Sequence, residues 1–348
     1  MCDSDWSSDV CSSDLATGWG QQFSADNQYA INRFSQSPAY AGFNGNIEAF
    51  VGYRQEWFGI EGAPQKQYVS LNGPSISSTG FGLDLEHFRT GNFSHFTGAF
   101  SYAYHLELGT DHNLSFGLAA ELYRNQLEGR LVNSSGQDPV LLNLQVLTGT
   151  TFNASAGVLY RLNNLNVGLV APRMLPMAIS YYEGYQYEMA QEFAFHASYA
   201  QPFSDFVVEP LVNVRSTMNS LLFEASVMAH YKDKAWLAMG YRKGNTFLAS
   251  AGVALSDAIV LNYSYEFGSG NIAALSAGTH EVSVGFQMKR FEGNERIYPT
   301  IFPPKSKEDG GNSEEIKEAT EDLEQQITRL RRIYKADSAK KANKIKQL

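Results

Sequence analysis

Histidine and serine are the residue types of this chain that could do chemistry, because an imidazole beside a hydroxyl can activate it as a nucleophile. His105 and Ser115 are the pair to inspect for a membrane-embedded hydrolase, since they fall on neighbouring predicted strands. The seven histidines are otherwise scattered singly, whereas metal sites need clustered ligands. The chain contains no His-Glu-x-x-His, Gly-x-Ser-x-Gly, Cys-x-x-Cys, phosphate-loop or acidic calcium-loop motif. We therefore expect no catalytic residue, no metal site and no cofactor.

The composition restricts the protein classes to which the chain can belong. Hydrophobic types make up 43% of its 348 residues and charged types only 18%, with a net charge of −9. This acidic balance argues against a nucleic-acid-binding surface. No stretch approaches the roughly 18 consecutive apolar residues that a membrane-spanning helix needs. Even the apolar run 167–171 is ended by Pro172 and Arg173. The sequence therefore excludes a helical membrane protein.

The first 45 residues differ from the main body of the chain. Residues 1–15 read like a translated sequencing-adaptor oligonucleotide, so we interpret them as an artefact. Both cysteines, Cys2 and Cys11, lie inside this stretch, and the remainder needs neither a disulfide framework nor a thiol site. Residues 16–20 are compatible with the end of a secretory signal peptide. We expect residues 16–45 to form the segment through which the chain enters its first strand.

Strict period-two alternation dominates residues 46–290, in runs long enough to cross a bilayer as tilted strands of about 9–11 residues. In the run 100–108, phenylalanine, tyrosine and leucine occupy one face, while serine, alanine, histidine and glutamate occupy the other. The same pattern recurs in the runs 114–122, 152–160, 223–231, 259–267 and 279–287. Short turn signals separate many of the runs, so consecutive strands should be antiparallel neighbours.

The number of runs indicates the fold class. About fourteen can be counted, and an even number is typical of single-chain outer-membrane barrels. We predict an all-β fold, an antiparallel transmembrane outer-membrane β-barrel over residues 46–291. The residues expected to face lipid are Tyr102, Phe116, Val158 and Val284, and those expected to face the lumen are Ser101, Ser115, Ser155 and Ser283. The histidines expected in the lumen, rim or aromatic girdle are His105, His196, His230 and His280. The alternative is a soluble β-sandwich or lipocalin-like barrel, whose strands also alternate.

The composition and the periodicity of the sequence change after Arg290. Residues 292–312 contain three prolines and a polar stretch, so we predict a linker there. Residues 313–348 carry an apolar stripe at helical spacing, including Leu323 and Ile327, which predicts a short amphipathic α-helical extension. An even strand number puts both barrel ends on the periplasmic side, so the helix is expected in the periplasm, with a partner there if it is ordered. The alternative is a solvated tail.

Motifs near the N-terminus carry a resemblance to a known family. Ser37-Pro-Ala-Tyr-Ala-Gly42 is followed by Tyr53-Arg-Gln-Glu-Trp-Phe-Gly59 and Gly62-Ala-Pro64. Further pieces follow in order, namely Gly80-Phe-Gly82, Tyr102-Ala-Tyr104, Leu114-Ser-Phe-Gly-Leu118 and Gly278-Thr-His-Glu-Val-Ser283. As an ordered set over residues 21–288, they resemble the PorP/SprF family of type IX secretion system membrane proteins. The chain departs from the family pattern at Ser37, where asparagine is usual, and by continuing well past the last predicted strand.

The resemblance implies a non-catalytic outer-membrane component of the type IX secretion and gliding-motility machinery, which helps to export or anchor surface adhesins. Its implied partners are outer-membrane lipid and a secreted adhesin or other secretion-system proteins. The family-motif residues proposed as structural or partner-contact candidates are Pro38, Tyr40, Gly42, Arg54, Trp57, Gly62 and Pro64. Arg54 should point into the lumen while Trp57, on the opposite face of the same strand, meets the membrane interface. The alternative function is a general outer-membrane channel or porin for solutes.

Overall fold

A computed structural model describes most of the predicted barrel. The described residues are 27–75, 78–109, 112–128, 146–175, 177–182, 185–189, 191–217, 220–232, 234–268 and 275–290. The interpretations of residues 1–15, 16–20, 292–312 and 313–348 concern parts of the chain outside these ranges. Within the described ranges no helix is both long and apolar enough to cross a membrane.

Seventeen strands are found in the described residues. They are β1 Asn46–Gln55, β2 Gln65–Pro74, β3 Thr79–Thr90, β4 Phe93–Gly109, β5 His112–Glu128, β6 Val146–Leu162, β7 Leu165–Ala171, β8 Met177–Tyr182, β9 Tyr185–Met189, β10 Glu192–Tyr199, β11 Gln201–Pro202, β12 Phe206–Thr217, β13 Ser220–Tyr231, β14 Ala235–Arg242, β15 Thr246–Ser256, β16 Ile259–Gly268 and β17 Thr279–Arg290. Three short 3-10 helices precede them, at Gln28–Ala30, Arg33–Gln36 and Pro38–Tyr40. The predicted runs all fall inside strands.

The strands close into a ring. Each strand from β1 to β6 pairs antiparallel with the next, β7 pairs with β10, and β10 pairs with β12. The sequence of pairs continues to β17, which pairs with β1 and closes the barrel. Of the fifteen strands in this sheet, only the two-residue β11 stands outside the ring, which leaves fourteen. The predicted antiparallel barrel of about fourteen strands is therefore confirmed, whereas β8 and β9 form a separate hairpin.

The two faces of the wall separate the residue types as the alternation predicted. On β4, Tyr102 is 41% exposed on the outside and Ser101 is 3% exposed on the inside. The other serines that were predicted to face the lumen, Ser115, Ser155 and Ser283, are buried as well. Large apolar side chains are exposed on the outer face because a bilayer, not water, is the medium that such a wall contacts. This arrangement excludes the soluble sandwich with an apolar core.

The two ends of the barrel differ in the length of their connections. At the end that carries Asn46 and Arg290, no connection between ring strands exceeds six residues. At the opposite end the connections 56–64, 129–145 and 172–191 are much longer. Outer-membrane barrels have short turns on the periplasmic side and longer loops outside the cell. We call these the short-turn end and the long-loop end.

Residues 27–45, which we call the lumenal segment, lie inside the barrel. Ala39 and Ala41 have no exposed surface, and Asn27, Tyr29 and Phe34 are also buried. Proline fixes the backbone at Pro38, and the Ser37 side chain accepts a hydrogen bond from the Ala39 N–H at 3.2 Å. The segment runs from Asn27, near the long-loop end, towards Asn46 at the short-turn end. The N-terminal segment therefore enters the wall from inside the lumen.

Candidate functional site: a lumen filled by the N-terminal segment

The first part of the lumenal segment, residues 27–33, is bound to the wall by polar side chains. We call it the polar half. The Asn27 N–H donates to Glu281 Oε2 at 3.3 Å, and the Asn27 side-chain oxygen accepts from Arg242 Nη2 at 2.9 Å. Gln28 Oε1 accepts from Asn262 Nδ2 at 2.9 Å and from the Ser283 hydroxyl at 2.8 Å. Buried polar groups are costly unless they are hydrogen-bonded, so these contacts fix the position of the segment.

The cluster that receives Asn27 contains two arginines and three glutamates from five strands. Arg54 lies 3.2 Å from Glu281 and 3.0 Å from Glu266. Arg242 lies 2.7 Å from the same Glu266 oxygen and 2.6 Å from Glu224. Arg54 also lies 3.2 Å from Glu56, so it bridges three carboxylates and Arg242 bridges two. The planar guanidinium with its several N–H donors favours this geometry. The prediction that Arg54 points into the lumen is confirmed.

The strongest contact of the polar half is a buried ion pair. Arg33 Nη2 lies 2.5 Å from Glu209 Oε1, and Arg33 Nη1 donates to the Ser198 hydroxyl at 3.2 Å. The Glu209 side chain has no exposed surface, and His230 lies 3.6 Å from its second oxygen. A buried carboxylate that lost its cation would be strongly destabilising. Arg33 therefore fixes the segment to β12, on the side of the barrel opposite to β1 and β2.

The second part of the segment, residues 34–42, packs its backbone against glycines of the wall. We call it the glycine-docked half. A methyl group on Gly117 would overlap the backbone of Pro38 and Ala39, and one on Gly157 would overlap the Ser37 hydroxyl. The Phe34 ring lies on Gly82 in the same way. These glycines are needed for close approach, since any side chain would occupy the space that the segment fills.

Gly42 ends this half where the chain turns towards β1. Its φ is +70°, a left-handed conformation that favours glycine, and a methyl group there would also overlap the backbone of Gly73 and Gly80. The Gly42 N–H donates to Asn72 Oδ1 at 3.2 Å. Gly42 therefore meets two requirements at once, a backbone conformation and a close contact.

Tyr40 is fully enclosed between the segment and β10. Its hydroxyl lies 3.1 Å from Nε2 of His196, and the two rings are 5.4 Å apart. Burial raises the pKa of Tyr40 to about 12, so the phenol keeps its proton and can donate to the imidazole. Tyr40 thus adds a directed hydrogen bond to the glycine-docked half.

His105 and Ser115 are brought together, as a hydrolase would require, but beneath the lumenal segment. His105 Nδ1 lies 2.8 Å from the Ser115 hydroxyl, and Nε2 lies 2.9 Å from the carbonyl oxygen of Ala41. Because a carbonyl can only accept, Nε2 donates to Ala41, and Nδ1 of the neutral ring accepts from Ser115. Ser115 has no exposed surface. The pair therefore binds the segment through the Ala41 carbonyl.

Trp57, Gly62 and Pro64 lie in the first long-loop connection. The prediction that Trp57 occupies the strand of Arg54 is wrong, because β1 ends at Gln55 and Trp57 adopts a φ of +46° in the loop. The residue is 38% exposed. Gly62 accepts a hydrogen bond from the Gly91 N–H at 2.8 Å, and Pro64 accepts one from the Glu56 N–H at 2.9 Å. These hydrogen bonds shape the loop.

Sequence reasoning missed Arg33 and its partner Glu209, which lie outside the motifs. The sequence did contain a signal for Glu209. Like Glu224 and Glu281, it occupies a lumen-facing position in a strand whose side chains alternate between the two faces. Buried carboxylates need cations or donors. The identity of those cations could not be read from the strands themselves.

Several of the motifs that carried the family resemblance meet at the lumenal segment. Gly80, Gly82 and Gly117 come from two of them, and Glu281 and Ser283 come from the last. Above the segment a cavity of about 200 Å³ remains. It is bordered by Arg173 and Arg215, which both bind Glu192.

Proteins similar to this chain are found among solved structures and among protein families. The solved structures similar to the chain include the CymD monoaromatic hydrocarbon channel, with 14% identity, a TM-score of 0.47 and coverage of 78% of this chain and 96% of that chain. The P. putida toluene transporter TodX, with 10% identity and a TM-score of 0.45, matches 78% of this chain and 95% of its own. No match was found among curated proteins. A family model described as type IX secretion system membrane protein PorP/SprF matches residues 20–286. This match spans the lumenal segment and nearly the whole barrel, and the chain therefore belongs to the PorP/SprF family.

Proposed function

We propose that this protein is a non-catalytic outer-membrane component of the type IX secretion and gliding-motility machinery that helps to export or anchor surface adhesins. The observation that carries the proposal is the filled lumen, in which residues 27–45 are held by ion pairs and by close backbone packing. A lumen occupied by the protein's own chain supports a role through the surfaces that the barrel presents to partners. The family supports a role beside other secretion-system components.

The filled lumen argues against the alternative, a general channel or porin. Wide porins leave an aqueous channel, whereas other barrels have a plugged interior. Here the buried contacts of the segment reach from Gly117 on β5 to Asn262 on β16, on roughly opposite sides of the wall. The cavity of about 200 Å³ above the segment is the size of a small molecule, not of a continuous pore. We expect the purified barrel to be non-conducting.

A hydrolase is the third class of function, and the His105–Ser115 contact is its only support within the described residues. The imidazole is held by the Ala41 carbonyl, and the serine is covered. Nucleophilic catalysis needs space for a reacting carbonyl beside the hydroxyl. We therefore expect esterase, protease and phospholipase assays to give no turnover that depends on Ser115.

Partner contact is assigned to the long-loop end and to the C-terminal extension. The first loop carries Trp57 and Phe58, both exposed aromatic residues of the kind enriched in protein interfaces. Residues 313–348 are expected to form a periplasmic helix that reaches inner parts of the secretion complex. Both assignments are open to direct test.

The deciding experiment is complementation of a deletion strain, with surface adhesin quantified by antibody labelling of intact cells. The wild-type gene should restore display, and Trp57→Ala/Phe58→Ala should reduce it without changing heat-modifiable gel mobility. Leu255→Ala, an exposed apolar residue on β15 far from this loop along the chain, is the control and should display normally. Normal adhesin display in the deletion strain, together with steady single-channel conductance of the pure barrel, would contradict this function and favour a channel.

The C-terminal extension is tested in the same strain. Deletion of residues 303–348 should leave barrel assembly intact and weaken adhesin display. Wild-type display by this deletion would reduce the extension to a solvated tail.

A further inference from the structure

An apolar groove lies on the outer wall of the barrel, at the strands β1 to β4 and β17. Its volume is about 590 Å³, within the usual range for small-molecule sites. The side chains of Val51, Val69, Leu85, Phe96, Val282 and Val284 line it. The groove opens outward, where the wall contacts the bilayer, so its natural occupants are apolar chains.

Polar and cationic side chains border the groove towards the long-loop end. His87 lines the groove itself and points outward from β3. In the register of the sheet His87 is opposite Phe96, and Phe96 is opposite Arg124 on β5. Directly opposite side chains have Cβ atoms about 4.5–5.5 Å apart. Arg89 lies two residues beyond His87 on the same face. We call these three outward-facing side chains, His87, Arg89 and Arg124, the basic rim.

The arginines of the basic rim differ from those of the lumen. Arg33, Arg54, Arg173, Arg215 and Arg242 all lie within ion-pair distance of a glutamate. Arg89 and Arg124 are exposed and have no carboxylate partner among the described residues. Among the described residues, the hydrogen bond found for Arg89 is a long one, 3.5 Å from Nε to the Gly91 carbonyl.

The acid closest to the groove does not neutralise this rim. Glu86 borders the groove through the wall, but its carboxylate lies 2.6 Å from Lys66, whose side chain is inside the barrel. The basic rim therefore keeps its positive charge on the membrane side. An anionic group of the ligand would be its complement.

We propose that the groove and the basic rim together bind a phosphorylated glycolipid of the outer leaflet, with one acyl chain in the groove and a phosphate at Arg89 and Arg124. The long-loop end faces the outside of the cell, so the rim lies at the level of the outer-leaflet headgroups. The guanidinium matches phosphate geometry with paired hydrogen bonds, and its apolar stem lies along the wall. Gln67, which also borders the groove, can donate to sugar hydroxyls.

The first test measures lipid that stays with the protein after purification in mild detergent. Phosphorylated lipid A should remain bound to the wild type and be detected by native mass spectrometry. Arg89→Gln/Arg124→Gln should lower its retention about tenfold, because charge-assisted hydrogen bonds to phosphate are lost. Lys234→Gln/Lys243→Gln removes two exposed cations elsewhere and is the matched control, with wild-type retention expected. Equal retention by both double variants would overturn the proposal.

A second test separates the phosphate from the acyl chain and the glycolipid from other lipids. In phosphatidylcholine vesicles, added lipid A should raise the melting temperature of the wild type, and dephosphorylated lipid A should raise it less. Val69→Trp, which fills the groove and leaves the rim intact, should lose the effect of lipid A. An equal shift by phosphatidylglycerol, or a full shift in Val69→Trp, would show that no glycolipid site of this kind exists. Heat-modifiable gel mobility verifies that each variant is folded.

Discussion

The two halves of the lumenal segment are held against the same wall by different forces. In the polar half, Asn27, Gln28 and Arg33 use side-chain hydrogen bonds and one buried ion pair. In the glycine-docked half, the backbone from Ser37 to Gly42 lies directly on glycines, and Tyr40 is the residue of the segment whose side chain bonds to the wall. The wall side chains of His105 and Asn72 add hydrogen bonds to the backbone of this half. The first half depends on matched charges, and the second depends on the absence of side chains in the wall.

This difference accounts for the glycines among the family motifs. A hydrogen-bonded contact can be made by several pairs of polar residues, so Arg33 and Glu209 need not belong to a motif. A contact between backbone and glycine has no equivalent substitute, because any Cβ at Gly117 would overlap the segment. Gly80, Gly82 and Gly117 accordingly lie in the pieces by which the family was recognised.

The largest predicted loss of stability follows from removal of the buried Arg33 cation, which holds the polar half. Arg33→Met leaves the Glu209 carboxylate buried without its partner, and we expect a loss of about 3–5 kcal/mol in the free energy of unfolding. Urea unfolding in detergent micelles measures it. Arg33→Met/Glu209→Leu should recover much of this loss, because both charges are then absent.

The matched control for this prediction is an exposed ion pair. Lys232 lies 3.5 Å from Asp205, and both side chains are about half exposed, at 49% and 51%. Lys232→Met should change stability by less than about 1 kcal/mol, as is usual for surface pairs. If Arg33→Met cost no more than Lys232→Met, charge would not be what holds the polar half.

The next largest loss of stability should follow from an added side chain in the wall, which would disturb the glycine-docked half. Gly117→Leu overlaps the backbone of Pro38 and Ala39, and overpacking of this kind costs about 1–3 kcal/mol. We expect the segment to be displaced, which planar-bilayer conductance and limited proteolysis would detect. Gly98→Leu is the control, since a Cβ there makes only ordinary contacts, the nearest at 3.5 Å. A closed, protease-resistant Gly117→Leu barrel would contradict the close packing.

The smallest effect is expected at Tyr40, and it depends on pH. Tyr40→Phe removes the hydrogen bond to His196 and should cost about 1 kcal/mol at neutral pH. Burial raises the Tyr40 pKa from 10.0 to about 12, so the phenol stays protonated in the folded state while the unfolded chain ionises. This contribution to stability is complete below pH 10.0 and is lost as the pH rises through about 12.

Measurement of the free energy of unfolding at increasing alkaline pH therefore distinguishes the wild type from Tyr40→Phe. The wild type should lose stability between these pH values more steeply than Tyr40→Phe, which has one phenol fewer to ionise. Some dependence should remain in the variant, because burial also raises the pKa of Tyr29. Identical pH profiles would mean that Tyr40 is not enclosed in the protein in solution.

The sequence by itself determined the wall of this protein. Alternation is a local property, since successive side chains of a strand point to opposite faces, so the outward position of Tyr102 and the inward position of Ser101 could be read from the run that contains them. The same pattern predicted correctly that Arg54 points into the lumen. It failed at Trp57, because a strand end is set by loop geometry and not by alternation.

Only the tertiary structure decided what fills the lumen. The sequence predicted a polar interior, but a wet interior and one occupied by residues 27–45 need the same inward residues. The contacts that distinguish them join residues far apart in the chain, with Arg33 and Glu209 separated by 176 positions and Asn27 and Glu281 by 254. Such pairs meet only when the strands close with one register, and closure is a property of all fourteen together.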